Sequence, residues 1–535
     1  MRYFFLFVTF LYALQSSAQN PTENLTAEIV DFDIPKSIYI SGERLWVSID
    51  ISSKNEKVKS QIGYVEILNR NNQSVALGKF QLTDGKTINF LNLPNDIPSD
   101  HYLIRVFTRI SPYLDFELGL RQKLITVVNP RIPPTVSPAP DKMEQGTEAS
   151  GNETILAQRN QNELELDLTG VNGEIISASV SVANPYLTHY DFSSSDIYES
   201  LPSRNLVPEL FGHIVEGYVN PKAIDTTQLY FISVHGEKSA LFTDRPDRNG
   251  SLYFDTGGIK EWDFIIAQTN GNESLIDFSV VSPSPQTSFS EDFIFPEFII
   301  SPDDEEFLNE LLKSSQVEQY FVQDFSSTAN PVVTGFVEDR TYLLDDYTRF
   351  ETVETVVKEY VPEVSVRTQD KKKDFRVVDK VKNRVFDSNP LMLVDAMPVF
   401  DSDRLARFNP SHFQKLEILT RSFYLNEEAF PGVMSFTSYK NNFGNFPIPS
   451  NGIYLEYQGL SMELVDISQI FTPNEEDRVP DWRAILFWSE IIPDLTPQEL
   501  KIHFPSIDLP WEVKVMYRDQ NGKLETITRR ISSAD

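Results

Sequence analysis

The sequence predicts a mainly β protein, with several β-sandwich domains in tandem and one α+β domain. Short apolar stretches alternate with turn residues through most of the chain, which is the spacing of sandwich strands. Helical spacing is confined to two segments, 302–322 and 352–361. Apolar residues make up 40% of the 535 positions and Phe alone fills 38, enough for several cores. At ~150 residues per domain, the length corresponds to roughly three or four domains.

Residues 21–129 read as the first sandwich. Ile38, Tyr39 and Ile40 run into a Ser41-Gly42 turn, Leu45, Trp46, Val47, Ile49 and Ile51 mark a strand, and Tyr102, Ile104 and Val106 alternate inward. Residues 130–154 read as a linker, because Pro130, Pro133, Pro134, Pro138 and Pro140 remove donors and stiffen the chain into a spacer. Residues 155–300 are again β-rich. Leu164, Leu166 and Leu168 alternate with acids, and Asp247-Arg248-Asn249-Gly250 is a turn between two strands.

Residues 301–349 are expected to hold a helix and a connector. Ser301 can cap the helix, Pro302 fits its first turn and Asp304 stands at the capping-box position. Asp303, Asp304, Glu305 and Glu306 lie where the helix dipole favours anions. Phe307, Leu308, Leu311 and Leu312 share one face. Residues 350–445 form the α+β domain, with Val353, Val356 and Val357 inward on a short helix and strands at 391–394 and 416–419. Residues 446–535 return to β, at 483–488, 500–504 and 513–517.

Residues 1–18 read as a signal peptide. Arg2 supplies the positive start, 4–14 is an apolar run and Ser16-Ser17-Ala18 a cleavage site. That run is well short of the ~20 residues that span a bilayer. The chain carries 47 basic and 78 acidic residues, a net charge of −31. Such a balance argues against nucleic-acid binding, which needs a basic footprint. There is no cysteine, so disulfides, thiolate metal sites, cysteine nucleophiles and lipidation at an N-terminal Cys are excluded.

Chemistry-bearing patterns are sparse. His101, His189, His213, His235, His412 and His503 are scattered, without the HExxH zinc spacing. No nucleophile elbow is present, nor a phosphate-binding glycine loop. Asp303 to Glu306 could recruit calcium, but an acid-rich first helical turn explains them fully. Asp244, Asp247 and Asn249 before Gly250 lack the alternation of acids a calcium loop needs and read as a hairpin turn. Trp482, Trp488 and Trp511 could stack on sugars or fill a sandwich core. No cofactor and no metal site are expected.

Two stretches carry resemblances. The first comprises Ile38, Tyr39, Ile40, Ser41, Gly42, Glu43, Arg44, Leu45 and Trp46, then Tyr64 to Leu68, then Pro98, Ser99, Asp100, His101 and Tyr102 through Arg109. It resembles the macroglobulin-type β-sandwich domain of exported Bacteroidota proteins, where Gly usually stands at the Asp100 position. Alpha-macroglobulins trap proteases through a Cys–Gln thioester. A chain without cysteine cannot form one, so the resemblance implies the fold and not the trapping. The second stretch runs Asn389, Pro390, Leu391, Met392, Leu393, Val394, Asp395, Ala396, Met397, Pro398, Val399, Phe400 and Asp401, then through Phe408, Asn409 and Pro410 to 430–437. It looks like the plug domain of TonB-dependent outer-membrane receptors, with Ala396 where that family normally has Gly. Residues 242–254 are similar to carboxypeptidase-regulatory-like β modules.

A receptor's plug precedes a barrel of about 22 strands, each needing ~10 residues. After Lys440 there are 95 residues, so the expectation is a plug without its pore. The resemblances imply an exported, non-enzymatic Bacteroidota envelope protein, held peripherally at the outer membrane, in the periplasm or at the cell surface. The expected role is an accessory subunit of an outer-membrane transport, secretion or barrel-assembly complex, with an outer-membrane β-barrel partner. A surface protein binding glycans or peptides, and a hydrolase, are the alternatives. The expected partner-binding residues are Asp395, Asp401, Arg404, Tyr424 and Glu427, on loops of the plug-like domain.

Overall fold

A computed structural model describes residues 25–53, 58–137, 155–160, 163–187, 192–270, 275–321, 332–369, 371–461, 464, 481–489, 499–503, 505, 507, 509–520 and 523–531. The expected signal peptide, 1–18, lies outside the described residues, as does 138–154 of the expected linker. No helix among the described residues is long and apolar enough to cross a membrane. The chain forms two compact units. The first takes Met1–Pro208, Ser284–Asp324 and Glu463–Asp535, and the second Glu209–Pro283 and Phe325–Met462.

The first unit opens with a sandwich. One sheet orders Glu28–Asp33, Arg44–Ser53 and Lys86–Asn92. The other orders Ile38–Ile40, Leu120–Val128, Asp100–Phe107, Ile62–Leu68 and Ser74–Gln81. Period-2 alternation explains the packing. Along Arg44–Ser53, Leu45, Val47, Ile49 and Ile51 enter one core, which Tyr102, Ile104 and Val106 join from the facing sheet. Trp46 points the other way, into a cluster with Ile485 and Trp488.

A second sandwich in this unit corrects the expected boundaries, which separated 155–300 from 446–535. Glu174–Val182 pairs with Trp511–Arg518 on one side and Ile485–Trp488 on the other. Leu524–Ile531 adds to Trp511–Arg518, and Glu163–Asp167 pairs with Glu499–His503. Leu164, Leu166, Val180, Val182, Leu486, Trp511 and Val513 share one core. Alternation marks a strand and the face it buries, but it does not say which distant strand completes the ladder. Trp488 and Trp511 are buried and Trp482 packs against the same core, so these indoles serve the sandwich.

The helix Glu305–Phe321 forms as its sequence dictates. The Ser301 hydroxyl accepts from the Asp303 N–H, and the Asp304 carboxylate accepts from the Ser301 N–H at 2.8 Å. Leu311 is buried, with Phe307, Leu308 and Leu312 against the second core. The expected linker is not spacer throughout. Thr135–Val136 pairs in parallel with Ile299–Ile300, which ties its first part to the sheet framework.

The second unit holds two modules. In the first, Ile214–Tyr218, Ser251–Asp255 and Ser279–Val281 form one sheet. A second sheet orders Val332–Val333, Lys238–Asp244, Tyr230–His235, Phe264–Thr269 and Ile453–Leu455. Residues 446–461 therefore belong here in part, and not wholly to a C-terminal domain. The other module is α+β. Its main sheet orders Arg340–Leu343, Phe413–Leu419, Val433–Ser438, Leu391–Val394 and Met397–Pro398. The helix Val353–Tyr360, capped by the Thr352 hydroxyl, sends Val353, Val356 and Val357 into its core. Because Arg340–Leu343 pairs with Phe413–Leu419, the module starts ahead of the expected residue 350.

The two sandwiches of the first unit meet at a buried carboxylate. Asp33 accepts from the Lys514 ammonium at 2.7 Å, the Ser177 hydroxyl at 2.6 Å and the Trp488 indole N–H at 3.0 Å. Lys123 stands at 3.6 Å. Burial works against ionisation, but Lys514, Lys123 and the hydrogen bonds outweigh it and hold the carboxyl well below the usual range. Ser181 donates to the Pro35 carbonyl and Asn184 to that of Ser37, extending the seam.

The segment returning at Ser284 is fixed by a second buried charge. Arg105 lies 2.7 Å from Glu66 and donates to the Thr287 hydroxyl and the Pro285 carbonyl, while Ser284 donates to Glu66. Removing one member of such a pair costs about 3–5 kcal/mol, because the other is left buried and unpaired. Asp33→Asn is therefore expected to destabilise the first unit by about 3 kcal/mol at pH 7. With its folded value depressed, Asp33 contributes above its unfolded value, 3.8, and loses that contribution as pH falls further. Denaturant unfolding from pH 6 to pH 2 should show wild type losing more stability than Asp33→Asn.

Candidate interaction surface

In the α+β module, Leu391–Val394 and Met397–Pro398 form a hairpin with the two-residue turn Asp395-Ala396. Both turn residues have left-handed backbone, φ 47° and 67°. That is the geometry a two-residue hairpin of matching twist requires, and it favours Asn, Asp or Gly. Asp395 is fully buried, and this corrects its expected role in partner binding. Its carboxylate accepts from the Ser438 N–H at 2.7 Å, the Ser438 hydroxyl at 2.5 Å and the Phe443 N–H at 2.8 Å. Burial pushes its carboxyl above the ordinary value, against the pull of these bonds. Asp395 holds the turn to Val433–Ser438 and offers nothing to solvent.

Asp401 and Arg404 come together at one helix. Asp401 caps Ser402–Arg407 by accepting from the Arg404 N–H at 3.0 Å, and both side chains are exposed. The Arg404 guanidinium lies 5.9 Å from the centre of the Phe446 ring. Tyr424 and Glu427 share the hairpin of Phe423–Leu425 and Glu428–Phe430. Tyr424 is 69% exposed.

The two loops border one apolar cluster. It is packed between the unit's two modules: Phe231 and Leu241 of the first module are buried with Leu391, Leu393, Leu419 and Val433, and Phe336, Phe400, Phe423 and Phe430 lie partly buried against them. Val337 is 73% exposed beside Phe336. Charged pairs rim this region: Arg245 with Glu428, and Arg421 with Asp339. The exposed apolar side chains at its border are Val337 and Tyr424, and apolar groups with a polar rim are the composition of protein-binding patches. Phe336 and Val337 were missed because they fall in the expected connector, although an apolar pair between Gly335 and Glu338 was a legible signal.

Polar clusters elsewhere in these units serve the fold. His235 is buried, stacks on Phe264 and meets the Ser233 hydroxyl at 2.7 Å. Burial pushes its pKa down to about 3. His101 meets the Thr126 hydroxyl at 3.0 Å, and burial is the main cause of a pKa near 4. His213 bridges Glu209 at 2.9 Å and the Tyr457 hydroxyl at 2.7 Å. The Asp247 carboxylate accepts from the N–H groups of Asn249 and Ser251, which makes 247–250 a capped turn with Gly250 at φ 90°. His189 lies outside the described residues.

Ala396 is the strained member of the turn, since left-handed backbone costs an L-residue other than Gly about 1–2 kcal/mol. Ala396→Gly is expected to raise the stability of the second unit by about 1 kcal/mol, read as a higher denaturant midpoint. A lower midpoint would show that the Ala396 methyl, buried in the hairpin, outweighs the strain.

No family model matches the chain and no curated protein does. Among solved structures, it aligns with alpha-2-macroglobulin from Salmonella reacted with methylamine at 10% identity and a TM-score of 0.16, over 95% of this chain and 24% of that one. It aligns with native E. coli alpha-2-macroglobulin at 7% identity and a TM-score of 0.21, over 95% of this chain and 40% of the other. Two tandem V-type regions of a v-region-containing chitin binding protein align at 9% identity and a TM-score of 0.14, over 47% of this chain and 98% of theirs. The chain thus spans a quarter to two fifths of the bacterial macroglobulins it is similar to. Scores this low carry no functional argument, and the mainly β class rests on the strand pairing itself.

Proposed function

We propose that this chain is an exported, non-enzymatic interaction subunit of a bacterial cell envelope, of the Bacteroidota type. It would serve an outer-membrane transport, secretion or barrel-assembly complex, with an outer-membrane β-barrel protein as partner. One observation carries this reading. The strands that follow the plug-like module, Ile485–Trp488, Trp511–Arg518 and Leu524–Ile531, are used in a sandwich sheet with Glu174–Val182. Those strands belong to a sandwich and not to a barrel around the plug-like module. The signal-like segment 1–18 and the macroglobulin-type and plug-like resemblances support the same reading. The exposed Tyr424 and Val337 supply a surface for contact.

A tagged chain recovered from gently solubilised envelopes is expected to bring an outer-membrane barrel protein in stoichiometric amount. Tyr424→Ala should reduce that recovery about tenfold or more, because a central aromatic contributes about 2 kcal/mol to such contacts. Its exposure leaves folding unchanged. Mass spectrometry and thermal unfolding read both effects. Recovery of the chain alone would contradict the proposal and favour ligand binding at the cell surface.

A further inference from the structure

The stretch 364–385 carries eight basic residues against three acidic ones, a net +5 in a chain whose total is −31. It folds as a small antiparallel sheet of Val364–Gln369, Lys372–Asp379 and Arg384–Val385. Lys372–Asp379 is the middle strand, so Val364–Gln369 is an edge, and no described strand lies along its outer side. The register sorts the faces. Val364 opposes Val377 and Val366 opposes Phe375, and these four pack into the module's core. Arg367 opposes Asp374 and Gln369 opposes Lys372 on the other face. Ser365, Arg367, Thr368 and Gln369 are all exposed.

Some of these cations have partners. Lys373 lies 2.8 Å from Glu354, Arg376 3.1 Å from Asp374 and Lys380 3.1 Å from Glu363. Arg367, Lys371, Lys372 and Lys382 are exposed and make no ion pair among the described residues. At physiological salt, charges are screened beyond about 8 Å. The acidic balance of the chain as a whole therefore does not cancel the patch at contact distance.

We propose that the edge strand Val364–Gln369 takes up an extended acidic segment of a partner protein as an added strand. The segment's main chain pairs with the open edge, and its carboxylates meet Arg367, Lys371 and Lys372. Open edges recruit strands through their unpaired N–H and C=O groups, and the side chains set the specificity. Arg367, Lys371 and Lys372 stand at one end of the hairpin, around the turn between Val364–Gln369 and Lys372–Asp379, so they meet one end of the added strand. The open edge favours an extended chain, since a lipid surface would leave its ladder unused. The proposal holds whether or not the envelope partner is a barrel protein, since it concerns a different surface and a purified chain.

The test uses the full chain and a labelled octapeptide alternating glutamate with threonine or valine, read by fluorescence anisotropy. Two control peptides replace glutamate by lysine, or N-methylate alternate backbone amides on the pairing side. The acidic peptide is expected to bind saturably and at least about tenfold more tightly than either control, a difference of ~1.4 kcal/mol. The double variant Lys371→Glu/Lys372→Glu, with an unchanged circular dichroism spectrum, should weaken it by a similar factor. Binding should fall as salt rises. Absence of saturable binding at millimolar peptide would overturn the proposal and leave the charges as guards against edge pairing. Equal binding of the N-methylated peptide, or an unaffected double variant, would overturn it as well. So would co-sedimentation of the chain with phosphatidylglycerol vesicles combined with no peptide binding.

Discussion

The buried carboxylate of Asp33 is the constraint on which the first unit turns. A single residue near the start of the described chain receives Ser177, Trp488 and Lys514, contributed by three strands of the second sandwich. A buried charge is costly to desolvate and is tolerated only when its partners are all in place. The seam is therefore specified by chemistry as well as by apolar packing. Trp46 and Trp488 pack beside it in a shared cluster, so the polar and apolar parts agree on the same arrangement.

That seam explains the order of the chain. The first unit is left after residue 208, resumed at 284, left again after 324 and completed from 463 onward. The second unit occupies the two intervening stretches. Each return has its own fastening: Arg105 for 284–287, and Lys514 with Trp488 for the last strands. A chain organised this way must bring together strands separated by more than 300 residues, and such long-range pairing slows folding.

Local features of the sequence were legible because they have local causes. The Ser301 cap, the apolar faces of the helices Glu305–Phe321 and Val353–Tyr360, and the Asp247 turn all depend on residues within a few positions. Strand faces were legible for the same reason, as Tyr102, Ile104 and Val106 show. Domain boundaries were not, because Glu174–Val182 carries the same alternation whether its neighbour is near or distant. The candidate surface was half legible. Tyr424 and Glu427 are exposed on a hairpin, whereas Asp395 lies buried, its carboxylate taken up by Ser438 and Phe443. A polar residue at a turn reads as solvent-facing unless the backbone amides that claim it are known.

The most direct test of this account compares hydrogen exchange in the full chain with exchange in a chain ended after residue 462. If the last strands complete the second sandwich, protection is lost across Glu163–Asp167 and Glu174–Val182. The sheets of the second unit, among them Leu391–Val394 and Val433–Ser438, keep theirs. Unchanged protection across Glu174–Val182 in the shortened chain would contradict the account, since that strand would then be held without Trp511–Arg518.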